Sequence, residues 1–360
     1  VVVNTMNHRK ESFDTEYDAK ATLDAARHST IHVQAVHPED NVGTNLADEL
    51  TPLNYYTILS DEEPASVYTN ANLRSFYITQ PLQINMENDS LHMRFYSPVG
   101  IKEVTVMAKS PTMDEYVEFV YIDDIPAFAD IKTSIKVLEK GLYRTESGKV
   151  LQFSAEEMNP ASLSLKIACN DPYWTKISQI KAKWYIKFVL NGGNPVTGTP
   201  NKNWWGIRPV HCREAVALFL NIGYMCTLEK FQQRVSTFQG TFLDNNRYPV
   251  DTSTLISRLE NLSGFDIGLI YSGNGVSGLG GGRTWGVYQK SFLYHYENSG
   301  GCCSTIFHEL GHCLGYNHNS TMTYGQWASG CADVFYKNNI KDFPVNSHTI
   351  LKSRSNPNIY

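Results

Sequence analysis

Between His308 and His318 the chain commits itself to one local geometry. Residues four apart on an α-helix differ by roughly 40° of rotation and about 6 Å of rise, so the imidazoles of His308 and His312 converge on one point. Glu309 follows His308 directly, which sets its carboxylate beside that point rather than at it. A third side chain close in sequence reaches the same point only if the helix ends quickly. Gly315 tolerates the positive φ of a helix C-terminal turn, and His318 then arrives three residues later. Cys313 is one residue from His312, so it points away and packs the helix.

Three neutral imidazoles are the donor set of a catalytic Zn2+ site. They leave a coordination position open for water, whose pKa the metal lowers to about 7. Beside such a site, Glu309 holds the position of a general base that accepts a proton from that water.

His308, Glu309, His312, Gly315 and His318, followed by Met322, resemble the extended motif and Met-turn of the metzincin clan of zinc metallopeptidases. The resemblance covers roughly residues 302 to 325. It implies one Zn2+ held by His308, His312 and His318, with Glu309 as the base. Met322 then looks like the Met-turn methionine, whose side chain forms an apolar floor under the imidazoles in that clan. Tyr324 resembles the tyrosine that astacin-like and serralysin-like members place near the metal, as a fifth ligand or as a donor to the oxyanion. Only three residues separate His318 from Met322, where many members of the clan have a longer connection.

Upstream of the motif, Asp266 to Tyr271 reads as a short buried strand and Trp285 to Tyr296 as a second one, from their β-branched and aromatic residues. Ser272 to Gly282 between them is too rich in glycine for a helix and lacks the Gly-Lys-Ser/Thr ending of a phosphate loop, which reads as a mobile loop. By the resemblance, residues 284 to 296 border the cleft and hold an extended substrate through main-chain hydrogen bonds. His211 to Asn221 and Thr227 to Thr237 carry apolar residues at helical spacing and pack behind a sheet. His211 itself, outside the motif, reads as an ordinary histidine rather than a fourth ligand.

A chain of 360 residues exceeds the usual single domain, and Asn191 to Asn203, dense in turn formers, is the best boundary candidate. Before it, Leu91 to Tyr96, Val104 to Ala108, Tyr116 to Tyr121 and Lys181 to Val189 read as strands. The expected fold class is α+β: an N-terminal antiparallel β-sandwich-like domain, then a metzincin-like domain with a mixed sheet, backing helices and a metal-binding helix. Residues 1 to 50 read as extended or flexible, 51 to 195 as a β-rich accessory domain, and 204 to 360 as the catalytic domain. The tyrosines and Trp204–Trp205 raise a glycan contact for the front part, although aromatics at this density belong more often to a core. Cys169 is the sole front-domain cysteine that a zinc-blocking propeptide could use, and its surroundings do not match that signal.

A net charge of −5 without basic runs argues against nucleic-acid binding, and no stretch reaches the roughly 18 to 20 apolar residues of a membrane span. Of seven cysteines, Cys302, Cys303, Cys313 and Cys331 cluster around the metal helix and allow a disulfide there. Asn319-Ser320-Thr321 is an N-glycosylation sequon between the third histidine and Met322, where a glycan would obstruct the site, which favours a bacterial host. The chain opens at Val1 without an apolar signal core, as a processed chain would. The motif predicts a zinc endopeptidase acting on a protein or glycoprotein, and the resemblance implies that it is secreted or at the cell surface. The alternative from another class is a non-catalytic, zinc-containing adhesion or glycan-binding protein, against which Glu309 argues because a structural zinc site has no use for a base.

Overall fold

The computed structural model describes residues 31–35, 44–45, 51–53, 55–192, 200–294 and 303–346. It is a mixed α/β structure with several sheets, divided into two compact units whose segments interleave. Among the described residues, one unit combines Leu59–Gln80 with those from Lys176 onward; the other combines Pro81–Thr175 with those up to Ile58.

The second of these is built on antiparallel sheets. One has five strands, in the order Ser164–Cys169, Ile101–Lys109, Val117–Ile125, Ile31–Ala35 and Thr51–Leu53. Another has four, in the order Tyr56–Thr57, Ala129–Ser134, Ser90–Phe95 and Leu82–Glu87. Strand side chains alternate between faces, and accordingly Leu91, Met93 and Phe95 are buried between half-exposed neighbours. Within residues 1 to 50, expected to be extended or flexible, Ile31–Ala35 is a strand paired on both sides. The rest of that segment, Thr44–Asn45 apart, lies outside the described residues.

The unit carrying the histidine motif has a six-stranded mixed sheet. Its strands are β1 (Ser75–Tyr77), β2 (Tyr185–Leu190), β3 (Trp204–Trp205), β4 (Gly264–Ile270), β5 (Gly278–Gly281) and β6 (Thr284–Val287). The order is β5-β6-β4-β2-β1, with β3 also paired to β4. β2, β4 and β6 run parallel, while β5 and β1 close the two edges antiparallel.

Two expectations change here. The boundary expected at residues 191 to 203 falls inside this unit, because β2 before it hydrogen-bonds in parallel to β4 after it, with Ile186 opposite Phe265. Strand propensity in 181 to 189 announces a strand but not its partner. The stretch 284 to 296 is not an edge strand either. β6 is sandwiched between β4 and β5, and the chain turns at once into helix α4, Gln289–Tyr294. The edge belongs to β5, drawn from the glycine-rich segment expected to be a loop.

The helices include α1 (Pro209–Thr227), α2 (Glu229–Ser236), α3 (Thr252–Glu260), α4, and α5 (Cys303–Cys313). Every residue of α1 from Pro209 to Cys226 is buried, as expected for a helix enclosed on all sides. Phe219 of α1 stacks on Phe265 of β4 at 4.7 Å and meets Trp184 and Trp285 edge-on at 6.0 and 5.0 Å. Trp184 donates its indole N–H to Leu259 O at 2.8 Å. This aromatic layer locks α1 against the centre of the sheet. Among the described residues, no helix is long and apolar enough to cross a membrane.

Candidate metal centre

The three histidines come together. His308 and His312 project from α5, His318 from the loop after it, and their ligand atoms lie within 4.8 Å of one another. The helix stops where the sequence says it should: Gly315 has φ +94° and donates its N–H to His312 O at 2.9 Å. On its other side α5 buries Ile306, Phe307 and Leu310. Trp285 of β6 approaches the helix backbone, its indole N–H 3.5 Å from Ile306 O.

Hydrogen bonds settle which ring nitrogens face the centre. A carbonyl oxygen only accepts, so His312 Nδ1 carries the proton that it donates to Tyr316 O at 2.7 Å, and His308 Nδ1 likewise donates to Thr323 O. Each Nε2 is left with a lone pair pointing inward. His312 Nε2 lies 3.1 Å from His308 Nε2 and 3.0 Å from His318 Nε2. Two lone pairs at that distance repel unless a cation sits between them. With zinc–nitrogen bonds of about 2.0–2.1 Å, a tetrahedral site spaces its nitrogens about 3.4 Å apart, close to these two separations, and the three rings together form a set that could hold a metal ion. Burial also lowers the pKa of His308 and His312, keeping the rings neutral as metal ligation requires.

Glu309 is 4% exposed, and its Oε1 is 3.9 Å from His308 Nε2. Burial pushes its carboxyl up to about 8. A dication bound beside it would favour the carboxylate and draw that value down. Edge strand β5 lies directly over this residue. A Cβ on Gly278 would meet Glu309 Oε1 at 2.3 Å, and one on Gly280 would meet Glu309 O at 2.3 Å. The two glycines, two apart on one strand face, therefore make room for the carboxylate and for the helix backbone. Their i, i+2 spacing is visible in the sequence, but read as loop composition it goes unnoticed.

Met322 is fully buried, and its carbonyl lies against α5 where a Cβ on Gly311 would meet it at 2.6 Å. Tyr324 is 53% exposed, with its ring 4.8 Å from that of His308 and 5.3 Å from that of His318. Its hydroxyl makes no hydrogen bond among the described residues.

The remaining candidates stand elsewhere. His211 is buried in the first turn of α1, where Nδ1 accepts Arg208 N–H at 3.1 Å, and burial drives its pKa down to about 3. Cys313 is turned from the three imidazoles and donates its thiol to Thr284 O at 3.2 Å. The disulfide considered around the helix does not involve Cys313 or Cys331, both buried free thiols, while the side chains of Cys302 and Cys303 lie outside the described residues. Cys169 is a free thiol bonded to Lys102 O within its own sheet. Trp205 lies against Tyr271 at 4.5 Å with the rings tilted by 39°, and Trp204 packs over Gly268 and Gly286; both indoles are half-buried.

Searches against models of protein families, curated proteins and solved structures find no match to this chain.

Proposed function

We propose that the chain is a zinc-dependent endopeptidase of metzincin-like design, and that it hydrolyses peptide bonds of extracellular proteins or glycoproteins. The observation that carries this reading is the convergence of three inward-facing Nε2 atoms beside a buried carboxylate that is not itself one of the three ligands. A structural zinc site closes its fourth position with protein, whereas this one sets a potential base beside the three ligands without adding it to them.

His308, His312 and His318 would hold the ion. When bound, zinc supplies Lewis-acid polarisation of a peptide carbonyl and lowers the pKa of a water. Glu309 accepts the proton of the attacking water and carries it to the leaving amine. The Nδ1 bonds to Thr323 O and Tyr316 O keep two imidazoles oriented throughout. Tyr324, whose ring lies 4.8 Å from that of His308, donates to the developing oxyanion. The β-rich unit acts as an accessory, sandwich-like domain, and the site faces substrates outside a bacterial cell, where the Asn319 sequon stays unmodified.

Elemental analysis of the purified protein and of His312→Ala, with casein and gelatin cleavage assayed with and without chelator, tests the proposal. One zinc per chain, lost in the variant, and chelator-sensitive cleavage are expected. Zinc without cleavage of any protein, together with glycan binding, would favour a non-catalytic adhesion role.

A further inference from the structure

We infer that Asn245 is a positioning residue for the third metal ligand, His318; the inference rests on the metal-site reading above. His308 and His312 each have two supports, a helix beneath them and an Nδ1 bond to a carbonyl. His318 has neither. It is exposed, it stands on a loop, and among the described residues its Nδ1 has no protein partner. The place of its imidazole therefore depends on the backbone of Gly315 to Thr321.

That backbone is held from outside by a hairpin distant in sequence, residues 242 to 250. Val250 N–H donates to Phe242 O at 2.8 Å and Asp244 N–H to Tyr248 O at 2.8 Å. Asp244 Oδ1 accepts the N–H groups of Asn246 and Tyr248, which tightens the tip. Phe242 is buried against Phe238 and Trp327 and anchors the base. The hairpin meets the ligand loop at both ends. Near Met322, Leu243 N–H donates to Thr321 Oγ1 at 2.7 Å, and Thr321 N–H and Ser320 Oγ donate to Leu243 O at 3.1 and 2.6 Å. Arg247 reaches Asn319 O at 2.9 Å.

Asn245 does something different from these. Its Nδ2 donates to Gly315 O at 3.0 Å and its Oδ1 accepts Asn317 N–H at 2.7 Å. One planar amide thus clasps both sides of the turn, two residues apart, immediately before His318. The positive φ of Gly315 lets the chain leave the helix, and Asn245 determines the direction it takes. Without it the turn loses both bonds and His318 loses its registration with the other two nitrogens. This is the kind of outer support whose loss costs 10- to 100-fold in metal affinity, about, in characterised sites.

The test measures zinc affinity of the full chain by equilibrium competition with a chromophoric chelator, for wild type, N245A, N245Q and V235A, with thermal unfolding of each metal-free protein alongside. Val235 is buried in α2, so V235A is a purely structural control. We expect about a 10- to 100-fold loss of affinity in N245A, partial recovery in N245Q, and in V235A a lower unfolding temperature at wild-type affinity. Wild-type affinity in N245A overturns the inference. So does an equal loss in V235A, because stability rather than position would then be responsible. Wild type that binds no zinc instead sinks the metal-site reading itself, and this inference falls with it.

Discussion

Adding one methyl group to β5 separates the two tasks of its glycines. In Gly280→Ala the new Cβ falls 2.3 Å from Glu309 O and 2.9 Å from the Cα and carbonyl carbon of the same residue, all of them helix backbone. Ordinary contact begins at about 3.4 Å, so the strand must lift from α5 by about 1 Å. Overpacking of this kind costs about 1–3 kcal/mol, which for a unit of this size lowers the unfolding temperature by about 2 to 12 °C. Under the peptidase proposal, with an extended substrate paired to the free edge of β5, a displacement of about 1 Å costs about 100-fold in rate. In Gly278→Ala the Cβ meets the end of a flexible side chain instead, Glu309 Oε1 at 2.3 Å and Cδ at 2.7 Å. The carboxylate swings aside, the strand stays, and the rate falls with little change in unfolding temperature. The assay pairs differential scanning calorimetry with casein cleavage and zinc content, which should remain at wild-type level in both variants because the histidines are untouched. A Gly280→Ala protein with wild-type unfolding temperature and rate would refute the close approach of β5 to the metal helix.

Glu309→Gln keeps the shape and removes the base, so zinc content should persist while cleavage drops by about 100- to 10,000-fold; retained turnover excludes Glu309 as the base. Tyr324→Phe removes one oxyanion donor and should lower kcat by about 100- to 1,000-fold at unchanged zinc affinity, whereas wild-type kcat would reduce Tyr324 to a neighbour of the imidazoles. His211 links stability to pH. Its pKa is about 3 when folded and 6.5 in its ordinary state, so the unfolded chain binds the extra proton and stability falls as pH drops from about 6.5 to about 3, by about 1.4 kcal/mol per unit. His211→Asn keeps an acceptor for Arg208 N–H and cannot titrate. Chemical denaturation of the metal-free protein should therefore show a flatter acid limb in this variant, and an identical slope would exclude the histidine as a cause.

The local features were legible because they rest on spacing. A four-residue interval aligns His308 with His312, a glycine ends the helix, and three further residues bring His318 round; all of this lies within eleven consecutive residues, where backbone geometry leaves few alternatives. Alternation in Leu91 to Tyr96 and apolar periodicity in His211 to Asn221 likewise announced a strand and a helix, since side-chain period is a property of the element itself. Tertiary structure decided everything that depends on a partner far along the chain. Strand propensity in Tyr185–Leu190 could not say that its neighbour is Gly264–Ile270, so the boundary between units was misplaced. Glycines 278 and 280 looked like loop residues until the helix they touch was in place. Asn245, unremarkable at a hairpin tip, gains its meaning only from the carbonyl of Gly315 and the amide of Asn317, about seventy residues away, because a hydrogen bond depends on where groups meet in space and carries no trace in the order of the chain.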